Sequence, residues 1–283
     1  MLTSVRSLLA ASLLAGAAFA ATPAMAQDED PFVTVSGNVT AVTDYRFRGV
    51  GLSGGDPAVQ GGITLSTQPG FYVGVWASSL ARGDTSVPLD DGTGDVLDYD
   101  VGTFGAIELD FSAGWAGEIT PGLGVDVGAT YYTYPNAINR NAEIDFVTPS
   151  LSGYPIFDGY SAYDTDLIEF YGKVSPSVGP VGLTFGVFYA PKQDSLGGSD
   201  NLYLSADASI DIPETPLTLT GHVGYTDGFL TYTADGNAWD YSVGASVTVL
   251  GGLSLGVAYV GVEGPDIDGV TDDTVVGTLS FSF

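Results

Sequence analysis

The last ten residues, Thr274–Phe283, read T-V-V-G-T-L-S-F-S-F, and the rest of the chain is best interpreted outward from them. Side chains along a β-strand point alternately to opposite faces, so this stretch predicts a strand with one apolar and one polar face. Val276 is the one residue that breaks the alternation. The apolar face carries Val275, Gly277, Leu279, Phe281 and Phe283, and the polar face carries Thr274, Thr278, Ser280 and Ser282.

A terminal strand of this kind favours a closed barrel in a lipid bilayer. A soluble domain seldom ends on an apolar strand with an aromatic last residue. A barrel in lipid does, because its last strand must pair with its first and leave no open edge. The terminal Phe283, with the alternating apolar residues before it, also resembles the assembly signal of outer-membrane barrels. The barrel-assembly machinery is therefore an expected partner.

The N-terminus has the features of a secretory signal peptide. Arg6 precedes an apolar run over residues 8–21, and the small-residue motif A-M-A follows at 24–26. We expect a signal peptide over residues 1–26, with cleavage at 18–20 as the alternative. A short acidic periplasmic arm over 27–31 and a single barrel domain over 32–283 would follow it.

Composition narrows the class of protein. The chain has 34 acidic and 7 basic residues and a net charge of −27, which argues against a nucleic-acid partner. It has no cysteine, which excludes a disulfide framework and a lipoprotein anchor. The mature chain also lacks an apolar run of about 20 residues, the length that a transmembrane helix needs.

From Val33 onward, segments of alternating hydrophobicity are separated by two kinds of connection. Tight turns rich in Pro and Gly alternate strictly with longer polar loops. This order predicts an all-β fold, a closed antiparallel transmembrane barrel of about twelve strands with short periplasmic turns and long extracellular loops. The turns fall at 68–70, 120–122, 178–180, 213–216 and 250–252, and the loops at 49–57, 81–102, 136–163, 191–199, 228–237 and 264–273.

Aromatic residues on the apolar faces recur near the two ends of the strands. Such rings are expected at the two membrane–water interfaces, so outer-membrane lipids and lipopolysaccharide are expected partners. A secreted β-sandwich would show the same alternation but would explain neither the two belts nor the order of the loops. The outer belt is Tyr45, Tyr131, Tyr189, Tyr225, Tyr241 and Tyr259, and the inner belt is Phe71, Trp115, Phe281 and Phe283.

Residues 35–53 read V-S-G-N-V-T-A-V-T-D-Y-R-F-R-G-V-G-L-S, with a D-Y-R-F-R-G core at Asp44–Gly49. This stretch resembles the N-terminal hallmark of the TorF-type porin family, a proteobacterial group long described as conserved proteins of unknown function. The resemblance implies an outer-membrane barrel with a pore in a Gram-negative bacterium. It implies no substrate, no cofactor and no catalytic residues.

The polar faces are predicted to line a water-filled lumen. Carboxylates outnumber cations there, which favours a porin for passive diffusion of small hydrophilic solutes that are cationic or neutral. Arg46 and Arg48 either form a local positive patch or only pair with carboxylates to hold the first loop. The pore-lining candidates are Asp44, Arg46, Arg48, Glu108, Asp110, Asp126, Glu169, Lys173, Asp207, His222 and Asp240.

Two other functions stay open. The barrel could be structural or adhesive, with a lumen blocked by side chains or by residues 136–163 folding inward. A barrel phospholipase is the weaker alternative, because it needs a His beside a Ser nucleophile, and the single His222 is predicted on the lumen face. The acidic loops fit solvated charge better than a metal site, so neither metal nor cofactor is expected.

Overall fold

The computed structural model describes residues 32–81, 86–90, 96–100, 105–135, 137 and 165–283. The predicted signal peptide and periplasmic arm lie outside these ranges. No helix in the described part of the chain is long and apolar enough to cross a membrane.

Twelve antiparallel strands pair in sequence order and close into one barrel, so the predicted fold class is confirmed. The strands are β1 (Val33–Val42), β2 (Ala58–Thr67), β3 (Phe71–Ser79), β4 (Ile107–Thr120), β5 (Leu123–Thr133), β6 (Leu167–Val178), β7 (Val181–Ala190), β8 (Asn201–Asp211), β9 (Leu217–Gly228), β10 (Asn237–Leu250), β11 (Leu253–Val262) and β12 (Thr274–Ser282). Two small hairpins are separate from the twelve-stranded sheet. They pair Arg46–Phe47 with Val50–Gly51 and Ser86–Asp90 with Val96–Asp100.

The barrel closes where the two ends of the chain meet. β12 pairs with β1 in a register that sets Asn38 opposite Ser282. Beyond it, the backbones of Gly37 and Phe283 exchange two N–H···O bonds of 2.9 Å. A Cβ at Gly37 would lie 2.7 Å from the Phe283 ring and 2.8 Å from the Gly62 carbonyl oxygen. Glycine is therefore required at position 37, where the Phe283 ring covers the seam between β1 and β12.

The two faces of the wall differ as the alternation predicts. Apolar side chains such as Val35 and Leu279 are exposed on the outside, whereas Thr40 and Ser280 are buried on the inside, their hydroxyl oxygens 2.9 Å apart. Val276, the residue that breaks the pattern, is only 4% exposed. It packs inside the barrel with Ala258 and Val260.

The connections at the two ends of the barrel differ in length. Those at one end are short, at residues 68–70, 121–122, 179–180, 212–216 and 251–252, and those at the other end are longer. The first of the longer connections, residues 43–57, contains the Arg46–Gly51 hairpin. The predicted inward loop at 136–163 falls almost wholly outside the described residues.

Replacing Gly37 by Val tests the closure of the seam. The added side chain meets the Phe283 ring and the Gly62 carbonyl oxygen, and overpacking of this kind costs about 1–3 kcal/mol. We expect a lower midpoint in thermal unfolding, followed by the heat-dependent electrophoretic mobility of the refolded barrel. Val39→Ile, on the exposed outer face of the same strand, is the matched control and should leave the midpoint unchanged. Equal midpoints for both variants would contradict the proposed seam.

Candidate pore constriction

The D-Y-R-F-R-G segment forms a hairpin that packs against the inner wall. Strand β1 ends at Val42, and Arg46–Phe47 pairs with Val50–Gly51. Arg48 and Gly49, at φ 51° and 80°, form the turn, as a two-residue hairpin loop of type I′ requires. A Cβ at Gly49 would lie 2.7 Å from the Val262 side chain, so the turn contacts β11 directly.

Asp44 fixes the base of the hairpin. One of its carboxylate oxygens accepts hydrogen bonds from the Ser53 hydroxyl at 2.7 Å and from the Gly55 N–H at 3.2 Å. The other accepts from Arg46 Nε. The Tyr45 N–H donates to Ser53 Oγ at 2.8 Å, which ties the two arms of the connection together.

Arg46 joins the hairpin to the last long connection. It donates to the backbone oxygens of Val270 and Asp272 at 3.2 and 2.9 Å, and to the Asp272 carboxylate at 2.9 Å. Burial tends to raise the pKa of Asp272, but the hydrogen bond and the charge of Arg46 outweigh this and lower the pKa. Arg46 is thus a structural brace, with its charge matched by two carboxylates.

Arg48, at the hairpin tip, is bonded to the opposite side of the barrel. Its Nη2 donates to both carboxylate oxygens of Glu169, at 2.7 and 2.8 Å, and Glu169 lies on β6, on the far side of the ring from β1. The guanidinium also lies 4.0 Å from the centroid of the Tyr203 ring. Burial opposes its charge, yet the Glu169 carboxylate outweighs burial and raises the pKa of Arg48. The pair therefore joins the hairpin tip to the opposite wall.

The prediction that Tyr45 belongs to the outer aromatic belt is wrong. Tyr45 is 4% exposed and packs inside the barrel with Ala58 and with Trp76, whose ring centroid lies 5.6 Å away. Burial first, and then the nearby charges of Glu108 and Asp110, raise the pKa of the Tyr45 hydroxyl. The alternation does not reach this residue because β1 ends at Val42 and the chain then turns inward.

The remaining belt candidates share the outward face of the wall and are exposed or half-buried, and their position at a membrane interface stays a prediction. Several tyrosine hydroxyls at the end with the longer connections donate to aspartates, a pattern that sequence reasoning missed. The bonds run from Tyr131 to Asp166, from Tyr189 to Asp200, and from both Tyr241 and Tyr259 to Asp273. Phe71, Phe281 and Phe283 are exposed, and Trp115 and Tyr225 are half-buried.

Acidic candidates gather at two places on the inner wall. Glu108 and Asp110 are buried side by side on β4, and Glu108 accepts a 3.3 Å hydrogen bond from Tyr134. On the opposite wall, His222 lies between Asp207 and Asp240, with its two ring nitrogens 2.7 and 2.8 Å from their carboxylates.

The hydrogen-bond partners of His222 in the described residues are two carboxylates and a tyrosine hydroxyl. Both of its nitrogens contact carboxylates, Tyr203 lies 2.9 Å away, and no serine hydroxyl is hydrogen-bonded to it. No group of three or more His, Asp or Glu side chains in the described ranges is arranged to hold a metal ion.

Sequence reasoning also missed a set of aromatic residues on the inner face. The alternation along each strand indicates their inward position, because each lies between outward apolar neighbours and shares its face with polar residues. Tyr203, for example, shares its face with Asn201 and Ser205. These residues are Tyr72, Trp76, Tyr132, Tyr171, Phe188 and Tyr203.

Together these features define a closed antiparallel β-barrel with a charged interior and an inward hairpin. The structure is similar to that of the NanC porin, with 8% identity over 88% of this chain and 99% of that one, at a TM-score of 0.51. It is also similar to the KdgM porin (7% identity, 88% and 98% covered, TM-score 0.49). An outer membrane channel from Pseudomonas putida F1 is similar as well (13% identity, 90% and 96% covered, TM-score 0.43).

The chain belongs to the family described as bacterial proteins of unknown function (Gcw_chp), whose model matches residues 26–155 and 150–282. No curated protein matches the sequence. The family description names no transport activity, so the resemblance to TorF-type porins stays a prediction.

Arg48→Ala tests the ion pair that crosses the bore. The variant leaves Glu169 as a buried carboxylate without its cation, which costs about 3–5 kcal/mol. We expect a lower free energy of unfolding in urea, and the double variant Arg48→Ala/Glu169→Gln should recover most of the loss because no unpaired charge remains. If Arg48→Ala unfolds at the wild-type urea concentration, the pair does not hold the hairpin.

Proposed function

We propose that this protein is an outer-membrane porin through which small hydrophilic solutes diffuse passively. The observation that carries the proposal is the side-chain exposure of Lys173 and Asp126, 29% and 30%, on the inner face of a barrel whose outer face is apolar. Charged groups that keep this exposure inside a closed wall need water, so part of the bore is hydrated. The fold shared with the NanC porin supports the same class of function.

The charge pattern of the inner wall favours neutral or cationic solutes. Arg48 and Lys173 each lie against a carboxylate, of Glu169 at 2.7 Å and of Asp126 at 3.9 Å. Glu108 and Asp110, in contrast, are buried without an ion pair to any described residue, and each keeps one oxygen without a hydrogen-bond partner. Elsewhere on the inner wall the carboxylates Asp126, Glu169, Asp207 and Asp240 outnumber the cations Arg48 and Lys173, and such an excess favours the passage of cations over that of anions.

The proposed setting follows from the sequence. With a cleaved signal peptide, the chain would reach the periplasm of a Gram-negative bacterium and insert through the barrel-assembly machinery. The short connections would then face the periplasm and the long ones the exterior, with lipopolysaccharide around the outer belt.

A barrel with a blocked lumen is the second candidate. The contact that favours it is the buried Arg48–Glu169 pair, because it spans the bore at the level of the hairpin. The two candidates differ in whether the hairpin narrows the bore or seals it.

Conductance across a planar lipid bilayer tests the proposal. We expect wild-type barrels to conduct KCl and, under unequal salt, to show a reversal potential that is near zero or of cation sign. Removing the hairpin should raise the conductance, because its tip fills part of the cross-section. Leu52 N donates to Tyr45 O at 2.7 Å, so an Asn-Gly turn in place of residues 46–51 can rejoin the chain without moving the flanks.

Lys192→Ala, which removes a positive charge on an exposed loop, is the control and should leave the conductance unchanged. Clear anion selectivity would contradict the charge argument. A wild-type barrel that carries no current while the hairpin variant conducts would favour the blocked barrel instead.

A further inference from the structure

Four of the inner aromatic residues lie along one line of strand pairing, here called the aromatic row: Tyr72, Tyr171, Phe188 and Tyr203. Tyr72 on β3 is paired with Gly114, and Gly114 with Gly128. Gly128 is paired with Tyr171 on β6, Tyr171 with Phe188 on β7, and Phe188 with Tyr203 on β8. The row thus runs across six neighbouring strands without interruption.

The two glycines in the middle of the row allow the rings to bridge it. A Cβ at Gly114 would lie 2.5 Å from the Tyr72 hydroxyl oxygen, and one at Gly128 would lie 2.7 Å from that of Tyr171. The two tyrosines therefore reach over bare backbone from opposite sides and are hydrogen-bonded to each other through their hydroxyls. Aromatic side chains lying over cross-strand glycines are a known way of covering a sheet surface.

The aromatic row lies closer to the end with the long connections on each successive strand. Tyr72 stands near the start of β3, which follows a short connection, and Tyr203 stands near the start of β8, which follows a longer one. Because the strands of a barrel tilt, a line of paired residues ascends the wall obliquely. Its upper end lies beneath the hairpin, where Tyr203 is 1% exposed and the Arg48 guanidinium lies 4.0 Å from its ring and 5.5 Å from the Phe188 ring. The rings of the row that stay half-buried are Tyr72, Tyr171 and Phe188.

Polar groups border the row on one side. The next line of pairing towards the short connections joins Asp126 to Lys173, Lys173 to Gly186, Gly186 to Ser205 and, through Gly224, reaches Asp240. Lys173 Nζ lies 3.9 Å from Asp126 and 4.8 Å from the Tyr171 ring centroid. The hydroxyl of Tyr72 donates to Asp126 at 2.8 Å.

We propose that the aromatic row is a binding track for neutral saccharides that pass through the pore, an inference that rests on the proposed porin function. Ring faces stack against the C–H faces of a sugar, while adjacent carboxylate, ammonium and hydroxyl groups bond to its hydroxyls. Lys173 is matched by Asp126 and Arg48 by Glu169, so the track carries little net attraction for an ion. The accessible part of the track, Tyr72, Tyr171 and Phe188, rises obliquely along the wall and suits a linear oligosaccharide that contacts successive rings.

Maltohexaose is the probe, in two measurements on purified full-length barrels. The first is the interruption of single-channel KCl current in a planar bilayer. The second is calorimetric binding to the detergent-solubilised barrel, which does not require conduction. We expect concentration-dependent interruptions and saturable binding.

Two variants on one strand separate the track from the rest of the wall. Tyr171→Ala removes a ring from the row and should weaken maltohexaose binding about three- to tenfold, the range expected for one aromatic contact. Phe170→Ala removes the neighbouring ring on the outward face, which is exposed, and should bind as the wild type does. Tyr171→Phe keeps the ring without the hydroxyl, and its affinity for maltohexaose should stay within about twofold of wild type. This variant separates the loss of the ring from the loss of the hydroxyl's hydrogen bond.

The outcomes distinguish the two proposals. Barrels that conduct KCl but neither bind maltohexaose nor show interruptions would overturn the track and leave the porin function standing. Barrels that bind maltohexaose but carry no current would support saccharide binding by the row and contradict the porin function, and with it passage along the track. Equal binding by Tyr171→Ala and wild type, or interruption by adenosine and not by maltohexaose, would also overturn the saccharide assignment.

Discussion

A continuous ladder of backbone hydrogen bonds around the barrel is the constraint on which the rest of the structure depends. β12 pairs with β1, so each of the twelve strands has two neighbours and the wall has no edge strand. With the wall closed, the alternation of side chains forces every second residue into one interior. Residues far apart in sequence, such as Asp126, Asp207 and Asp240, come to line one bore for this reason. The inward hairpin depends on the same closure, because Arg48 finds its partner Glu169 on the opposite wall.

The alternating segments and the connections between them were sufficient to predict the number of strands and the sense of the two faces. The reason is that successive side chains on a strand point to opposite faces, so two different faces produce a hydrophobic pattern that repeats every two residues. Val276 shows the limit of that rule even within a well-predicted strand, since an apolar residue on the polar face packs against Ala258 and Val260 inside the barrel. The same rule placed the charged candidates inward.

What the sequence could not show depends on where strands end and on how they are paired. Tyr45 continues the parity of β1, but the strand stops at Val42, so parity no longer decides which way this ring points. The aromatic row is hidden for a different reason. Tyr72 and Gly114 are neighbours only through the register of two strands separated by a long connection, and register is a property of the folded sheet. Gly114 and Gly128 on the inner face are covered by the rings of Tyr72 and Tyr171.

The central claim is that the polar face lines a hydrated bore and the apolar face meets lipid. Because the chain has no cysteine, single cysteines report on each face without interference. The direct measurement compares Ser205→Cys, on the inner face, with Leu204→Cys, on the outer face of the same strand, in proteoliposomes treated with a charged water-soluble thiol reagent. The account predicts rapid modification of Ser205→Cys and protection of Leu204→Cys. Protection of Ser205→Cys together with modification of Leu204→Cys would contradict it.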